Sequence, residues 1–301
     1  MYRFRFFFNI ILIIIILSLV SLSKKITNPL FYTNTNRIIT FSGSRALDNV
    51  IEQVNMGPRT PGSLPHTLFF PWLQSKIDQP GWIVELQKGF YQGHQITNII
   101  AKNSIEPPKI IIAAHYDSRL LSDNDPDSKL RSTPVPGAND GASGVAVLIE
   151  LARTLPVKAL PIWLVFFDVE DNGKIPGWEW LLGSRYFVSQ LEATPQAVII
   201  LDMVGDKNLN IFREINSDYD LTTEIWKVAQ SLGYESSFIN KSKYSILDDH
   251  IPFIDAGIPS VDIIDFDYPF WHTTADTSDK ISAESLEIVG STILNWITHQ
   301  K

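Results

Sequence analysis

The stretch that decides the fold is residues 109–118, which read KIIIAAHYDS: an apolar run that stops at a histidine and an aspartate. Three successive isoleucines predict a strand buried on both faces, because a half-exposed strand would alternate apolar with polar residues. Such strands are typical of parallel sheets that helices cover on both sides. The stretch therefore predicts an α/β fold, with His115 and Asp117 just beyond the carboxyl end of a buried strand.

Outward from this stretch, strand patterns alternate with helix patterns. Strands are predicted at 162–167, 197–201 and 258–264, and helices at 141–155, 186–191, 222–232 and 282–298. The alternation indicates one α/β domain, with a mixed, mostly parallel central sheet flanked by helices. Because no internal repeat or second low-complexity stretch interrupts it, we predict a single catalytic domain over residues 42–301.

The first 41 residues differ in composition from the rest. Arg3 and Arg5 precede an apolar run at 6–22, which is long enough for an export signal or for a membrane span. Residues 1–25 are therefore predicted to be a signal peptide or an N-terminal membrane anchor, and the Asn- and Thr-rich residues 26–41 a linker. Either alternative predicts an exported protein: secreted, periplasmic, or attached to a membrane with its catalytic domain outside the cytoplasm.

Composition excludes several classes of function. The net charge is −8, which argues against nucleic acid as a partner, because phosphate binding requires clustered Lys and Arg. The chain has no cysteine, which excludes thiol chemistry and thiolate-bound zinc. Any zinc site must therefore be built from imidazole and carboxylate groups.

Candidate metal ligands follow the predicted strands or open a predicted helix. They are His115, Asp140 in GANDGASG (137–144), the doublet Glu170-Asp171, Asp202, and His272 in WHTT (271–274). In an open α/β sheet the ligand crevice lies beyond the carboxyl ends of the strands, so we expect these side chains to meet there. Taken alone, each has an ordinary structural explanation, such as a helix N-cap for Asp140. Their combination at strand ends favours a metal site.

In type and order these motifs resemble the co-catalytic zinc exopeptidases, which include secreted aminopeptidases. The animal-type glutaminyl-peptide cyclotransferases are a branch of that superfamily, and they convert the N-terminal glutamine of peptides to pyroglutamate with one zinc ion. The resemblance to this branch lies in HYDS (115–118), FFD (166–168), GSR (183–185), LDDHIPF (247–253) and WHT (271–273). It implies that peptide or protein N-termini are the substrates.

The resemblance also implies roles for individual residues. Asp140, Asp171 and His272 would bind zinc, and Glu170 would carry the proton. Asp202 and Asp248 would adjoin Glu170 as further catalytic acids. The substrate would contact Trp271 and a tryptophan of the segment after the acidic doublet, for which we take Trp178 rather than Trp180.

A di-zinc aminopeptidase is the alternative function. There Asp140 would bridge two zinc ions, with His115 and Asp202 on one and Asp171 and His272 on the other. GANDGASG is closer to the aminopeptidase form, and Asp171 stands where cyclases usually have Glu, whereas Asp248 and Trp271 favour the cyclase. A catalytically silent binding ectodomain is disfavoured, because neither a ligand nor the proton carrier is missing.

Overall fold

The computed structural model describes residues 40–155 and 160–300 of the chain. The predicted signal or anchor, its apolar run at 6–22 and nearly all of the predicted linker lie outside these residues. No helix within the described ranges is long and apolar enough to cross a membrane.

The described residues form helices and strands that alternate along much of the chain. In chain order they are α1 (Gly43–Met56), α2 (Leu64–Lys76), β1 (Ile83–Tyr91), β2 (His94–Lys102), β3 (Ile110–His115), α3 (Ala142–Thr154), β4 (Ile162–Phe167), α4 (Leu182–Ser189), β5 (Ala197–Asp202), β6 (Ile211–Arg213), α5 (Tyr219–Ser231), β7 (Phe238–Ser242), α6 (Ile251–Asp255), β8 (Ser260–Ile264), a short 3₁₀ helix (Ser278–Lys280) and α7 (Ala283–Thr298).

Six strands form one mixed sheet in the order β1-β2-β4-β3-β5-β8. The four strands from β4 to β8 are parallel, whereas β2 runs antiparallel to both of its neighbours. Ile112, at the centre of β3, lies opposite Leu164 of β4 and Ile199 of β5. The predicted fold class, a mixed and mostly parallel sheet with flanking helices, is confirmed.

Helix α3 packs on the central strands and is itself covered by α1 and α7. Every residue of α3 except Arg153 is buried, so the helix lies between two layers. Gly144 permits the close approach to the sheet: a Cβ atom there would lie 2.1 Å from the carbonyl oxygen of Leu201. This packing places the N-terminal end of α3, which Asp140 directly precedes, over the ends of β3 and β5.

Two features differ from the sequence-based expectation in their extent. The helix predicted at 186–191 begins earlier, at Leu182, because the positions with low helix propensity, Gly183 and Ser184, are buried against the sheet. Phe41, the last residue of the predicted linker, is buried in the core and contacts Gly290 of α7. The folded domain therefore includes Phe41.

Candidate metal centre and active site

The candidate ligands meet at one edge of the sheet, as parallel topology requires. His115 is the last residue of β3 and Asp202 the last of β5, while Glu170 and Asp171 follow β4 closely. Asp140 comes from the loop before α3, and His272 from the loop after β8. Residues separated by as many as 157 positions in the sequence are thereby neighbours in space.

Asp140, Asp171 and His272 form the first group of three. His272 Nε2 lies 2.8 Å from Asp171 Oδ1 and 3.7 Å from Asp140 Oδ2, and all three residues are buried. Ligand atoms of one tetrahedral zinc, each about 2.0–2.1 Å from the metal, lie about 3.3 Å apart. The observed distances bracket that spacing, so the three residues fit a zinc ion.

A second group shares Asp140 with the first. His115 Nε2 lies 3.0 Å from Asp140 Oδ1 and 3.3 Å from Asp202 Oδ1. Asp140 thus presents one oxygen to His115 and the other to His272. This is the arrangement of a carboxylate that can bridge two metal ions.

Several atoms of these groups lack hydrogen-bond partners within the described part of the chain. They include both ring nitrogens of His115, Asp140 Oδ2, Asp171 Oδ2 and Asp202 Oδ1, all buried. Burial raises the pKa of Asp171 to about 6 and that of Asp202 to about 7, and the negative charge of Asp140 acts in the same direction on both. A divalent cation would supply both the missing partner and the missing charge.

Two further carboxylates hold the ligand-bearing backbone in place. Asp117 Oδ1 accepts a hydrogen bond from the Glu170 N–H at 3.0 Å, and its Oδ2 one from the Asp171 N–H at 3.4 Å. Asp276 accepts in the same way from the N–H groups of Asn139 and Asp140, at 2.8 and 3.3 Å. The H-x-D motif therefore orients the acidic doublet through Asp117.

Sequence reasoning missed Arg119, which is only 1% exposed. Its guanidinium donates to the carbonyl oxygen of Asp171 at 2.7 Å and to that of Gly173 at 3.1 Å, and it pairs with Asp123 through two bonds of 2.6 and 2.8 Å. It also lies 5.1 Å from the ring centre of Trp180. Arg119 thus fixes the backbone of a candidate zinc ligand and an aromatic side chain, yet it belongs to no motif that could have revealed it.

A cavity of about 250 Å³ opens above the first group of three. Asp140, Glu170 and Asp171 lie on its floor, and its walls include the aromatic side chains of Trp180, Tyr244, Phe266 and Trp271. Trp271 therefore lies where a substrate-contacting residue is expected. Lys174 is the one basic residue among the described lining residues.

Trp178, which the resemblance suggested as a substrate contact, does not line this cavity, whereas Trp180 does. Its ring stacks on His94 at 4.0 Å and borders a different cavity, of about 470 Å³, beside β2. The chain reverses between Asn172 and Trp178, and Gly173 leaves room for the Trp180 ring, since a Cβ atom at Gly173 would lie 2.1 Å from it. Trp180 therefore lines the cavity in which the resemblance would place Trp178.

Glu170 is buried next to the candidate metal ligand Asp171 without belonging to either group of three. Burial raises its pKa well above the usual range, and the charges of Asp171, Asp249 and Asp248 act in the same direction. A carboxyl group of this kind can both accept and return a proton near neutral pH. The charge of Asp248, which is 4% exposed, thus contributes to the raised pKa of Glu170.

The sheet topology, the ligands at the strand ends and the shared Asp140 define the zinc exopeptidase-like class of α/β enzymes. Residues 97–297 match the sequence model of the family described as Peptidase family M28. The chain belongs to peptidase family M28.

The resemblance drawn from the motifs is confirmed by individual proteins. The glutaminyl-peptide cyclotransferase of Boiga irregularis is 27% identical over 263 residues, which cover 69% of this chain and 68% of that protein. The crystal structure of Tannerella forsythia glutaminyl cyclase is similar with a TM-score of 0.81 and 33% identity, over 87% of this chain and 100% of that one. A Zn-dependent exopeptidase from Parabacteroides distasonis matches with the same score, identity and coverage.

Proposed function

We propose that this enzyme is a glutaminyl-peptide cyclotransferase, which closes the N-terminal glutamine of peptides to pyroglutamate and releases ammonia. The observation that carries the proposal is the position of Glu170. It is buried, it lines a cavity together with Asp140, Asp171 and several aromatic side chains, and the nearby charge of Asp248 helps to raise its pKa. The similarity to solved glutaminyl cyclases over most of the chain supports the same activity.

Zinc is the metal that fits the donor set of two carboxylates and one imidazole in Asp140, Asp171 and His272. When bound there it would supply Lewis acidity toward the γ-carboxamide oxygen of the substrate glutamine. Asp117, Asp276 and Arg119 hold the ligand-bearing backbone through the bonds described above. The site is therefore organised by the chain's own hydrogen bonds.

Glu170 moves the proton in the proposed reaction. The α-amine nitrogen attacks the γ-carboxamide carbon, a C–N bond forms, and Glu170 accepts a proton from the amine. The bond to the amide nitrogen then breaks, and Glu170 returns the proton so that ammonia leaves. The neighbouring charges of Asp171 and Asp248 disfavour a permanently ionised Glu170, which suits a group that must take up and release one proton per cycle.

The aromatic side chains that line the cavity protect the bound substrate from water. Trp180 and Trp271 line the cavity that contains the candidate metal ligands, and we expect their rings to limit the access of bulk water. Water is the competing nucleophile, and it would convert glutamine to glutamate instead of closing the ring. Holding the amine against the amide in a small cavity raises the effective concentration of the intended nucleophile.

The test is the variant Glu170→Gln, assayed with a glutamine-initiated peptide by mass spectrometry, which detects the loss of ammonia. We expect turnover to fall by about 10²–10⁴-fold, the usual contribution of a general acid–base, with zinc content unchanged because Glu170 is not a ligand. Wild-type turnover in this variant would exclude Glu170 from the mechanism. Absence of ammonia loss with the wild-type protein would exclude the cyclase itself.

A second candidate function, a di-zinc aminopeptidase, is favoured by the position of Asp140 between His115 and His272. The cyclase and the aminopeptidase both require zinc near Asp140, so the substrate that is converted distinguishes the two activities. Release of the free amine from an amino-acid anilide would support the peptidase. If the enzyme is a di-zinc aminopeptidase, His115→Gln should abolish its activity, because the variant removes a zinc ligand. If it is a single-zinc cyclase, His115 is not a ligand, and the variant should keep its zinc.

We also propose, from residues 1–41 of the sequence, that the enzyme acts outside the cytoplasm. The basic residues before the apolar run at 6–22 support this proposal. Fractionation of cells that produce the full chain, followed by N-terminal sequencing of the product, would distinguish a cleaved signal from a retained anchor.

A further inference from the structure

A third group of buried polar side chains lies beside the active site, and we call it the Asp262 cluster. It consists of Asp248 and His250, from the segment between β7 and α6, and of Asp262, in the middle of β8. One potential ligand atom from each of the three lies within 4.8 Å of those of the others. His250 and Asp262 are completely buried.

Most polar atoms of this cluster lack a hydrogen-bond partner within the described residues. Both oxygens of Asp262, Nδ1 of His250 and Oδ2 of Asp248 make no hydrogen bond there. No Lys or Arg of the described chain lies within ion-pair distance of Asp248 or Asp262. Two buried carboxylates without a compensating charge are costly, so the cluster requires either a cation or bound protons.

Glu214 gives the imidazole of His250 a definite orientation. Its Oε2 lies 3.1 Å from His250 Nε2, and its carboxylate is fixed by the N–H groups of Ser217 and Ile246, at 2.7 and 2.9 Å. A neutral imidazole would therefore carry its proton on Nε2, toward Glu214. Its Nδ1 would then direct a lone pair toward Asp262, whose Oδ2 is 3.9 Å away.

This carboxylate–imidazole arrangement is the one that metal-binding histidines use, with the second nitrogen held by an acidic side chain. We propose that the Asp262 cluster binds a divalent transition-metal ion, with Zn²⁺ as the probe, through Asp248, His250 Nδ1 and Asp262. Imidazole and carboxylate ligands together suit zinc and similar ions better than magnesium or calcium, which prefer oxygen ligands alone.

The proposed ion would be structural. It would join the segment 243–250, which lines the catalytic cavity, to the central sheet at β8. This segment carries Asp248, so the ion would also hold that side chain beside Glu170. The site is distinct from both groups around Asp140, because it shares no residue with them.

The test counts zinc per chain in the full-length protein, produced with added zinc and dialysed against metal-free buffer. We expect His250→Gln and Asp262→Asn each to lose one zinc relative to the wild type. Asp249→Asn is the matched control, since it removes a buried, unpartnered carboxylate next to Asp248 that does not belong to the cluster. We expect it to keep the wild-type count, as should His115→Gln in a single-zinc cyclase.

If His250→Gln and Asp262→Asn keep the wild-type count, the proposal is wrong, and Asp248 and Asp262 share a proton instead. Should these variants fail to fold, crystals of the wild-type protein measured at the zinc absorption edge give the same decision. An anomalous peak between the three side chains supports the site, and its absence overturns it. Neither readout depends on turnover, so the result is independent of whether the enzyme is a cyclase.

Discussion

At the residue scale, Trp178 and Trp180 lie two positions apart but border different cavities. Trp180 lines the cavity above the metal ligands, whereas Trp178 stacks on His94 beside β2. We therefore expect Trp180→Ala to lower kcat/KM for a glutamine-initiated peptide by about 10- to 100-fold, equivalent to about 1.4–2.7 kcal/mol of lost transition-state binding. Steady-state kinetics measure this loss.

Trp178→Ala is the matched control for that experiment. It removes the same side chain from the same segment, but from the wall of the other cavity, so kcat/KM should stay within about twofold of the wild type. An equal loss of activity in both variants would mean that the segment acts as a unit. A loss confined to Trp178→Ala would restore that residue as the one that contacts substrate.

The sequence could predict the candidate ligands but not the choice between these tryptophans. His115 and Asp202 end strands whose apolar patterns are evident, and parallel topology brings such ends together. The directions of Trp178 and Trp180 depend on the path of an irregular segment, which Gly173 and Arg119 determine through contacts with distant residues. No periodic pattern in the sequence encodes such a path.

At the scale of elements, the fit of α3 on the sheet depends on a glycine. Replacement of a helical glycine by alanine normally stabilises a helix by about 1 kcal/mol. At Gly144, however, a Cβ atom would lie 2.1 Å from the backbone oxygen of Leu201, which cannot move without displacing β5. We expect Gly144→Ala to lower the free energy of unfolding by about 3 kcal/mol, as measured by urea denaturation.

Gly290 in α7 offers a comparison, because it too has no room for a Cβ atom. A Cβ atom at Gly290 would lie 2.1 Å from the ring of Phe41, and a side chain near the start of the domain can shift more readily than a strand. Gly290→Ala should therefore lower the free energy of unfolding by less than Gly144→Ala does, by about 1 kcal/mol. Equal losses of stability in the two variants would show that the backbone of β5 at Leu201 shifts as readily as the Phe41 side chain.

An ion pair connects α2 to the end of β4. His66 Nε2 lies 2.6 Å from Asp168 Oδ1, while Asp168 Oδ2 accepts a hydrogen bond from the Thr97 N–H at 2.8 Å. Burial opposes the charged imidazole, but the hydrogen bond and the charge of Asp168 prevail and raise the pKa of His66. Burial also raises the pKa of Asp168, which weakens the pair, yet the short contact favours the protonated histidine.

This pair should make stability depend on pH in a definite direction. Because the pKa of His66 is raised on folding, its contribution is complete below the unfolded value of about 6.5 and is lost as pH rises through the folded value. We expect the stability difference between the wild type and His66→Gln to be largest near pH 6 and to shrink toward pH 9, as followed by thermal unfolding. His299→Gln, at an exposed position, controls for the loss of an imidazole, and a difference that grows with pH would contradict the assignment.

Among the elements, the buried parallel strands were predictable and the β1–β2 hairpin was not. β3 and β5 are buried along their whole length and therefore read as continuous apolar runs. β1 is exposed or half-exposed throughout and contains polar residues such as Glu85 and Lys88, so its composition resembles that of a loop. β1 is a strand because it pairs with β2, and that pairing is not evident in the residue pattern of β1 alone.

At the scale of the whole molecule, residues 40–301 form a compact unit with the proposed catalytic machinery inside it. The ligands come from the ends of three strands, from the loop before α3 and from the loop after β8, so the site can form only when the sheet is complete. This explains why the sequence could predict a set of candidate ligands together with the fold: both depend on the same strand ends. The number of metal ions depends on side-chain geometry around Asp140, for which the sequence carries no pattern.

The compact unit should function without the residues that precede it. A chain that begins at Thr40 retains Phe41, which is 4% exposed and packs on Gly290 of α7, so we expect it to match the full chain in urea midpoint and in turnover. In that shortened chain, Phe41→Ala should lower the free energy of unfolding by about 3–5 kcal/mol through the cavity it creates, whereas Phe41→Leu, which fills most of the space, should cost less. If the shortened chain unfolds at a lower urea concentration with Phe41 intact, residues 1–39 contribute to the stability of the domain; if Phe41→Ala has no effect, the domain begins at α1.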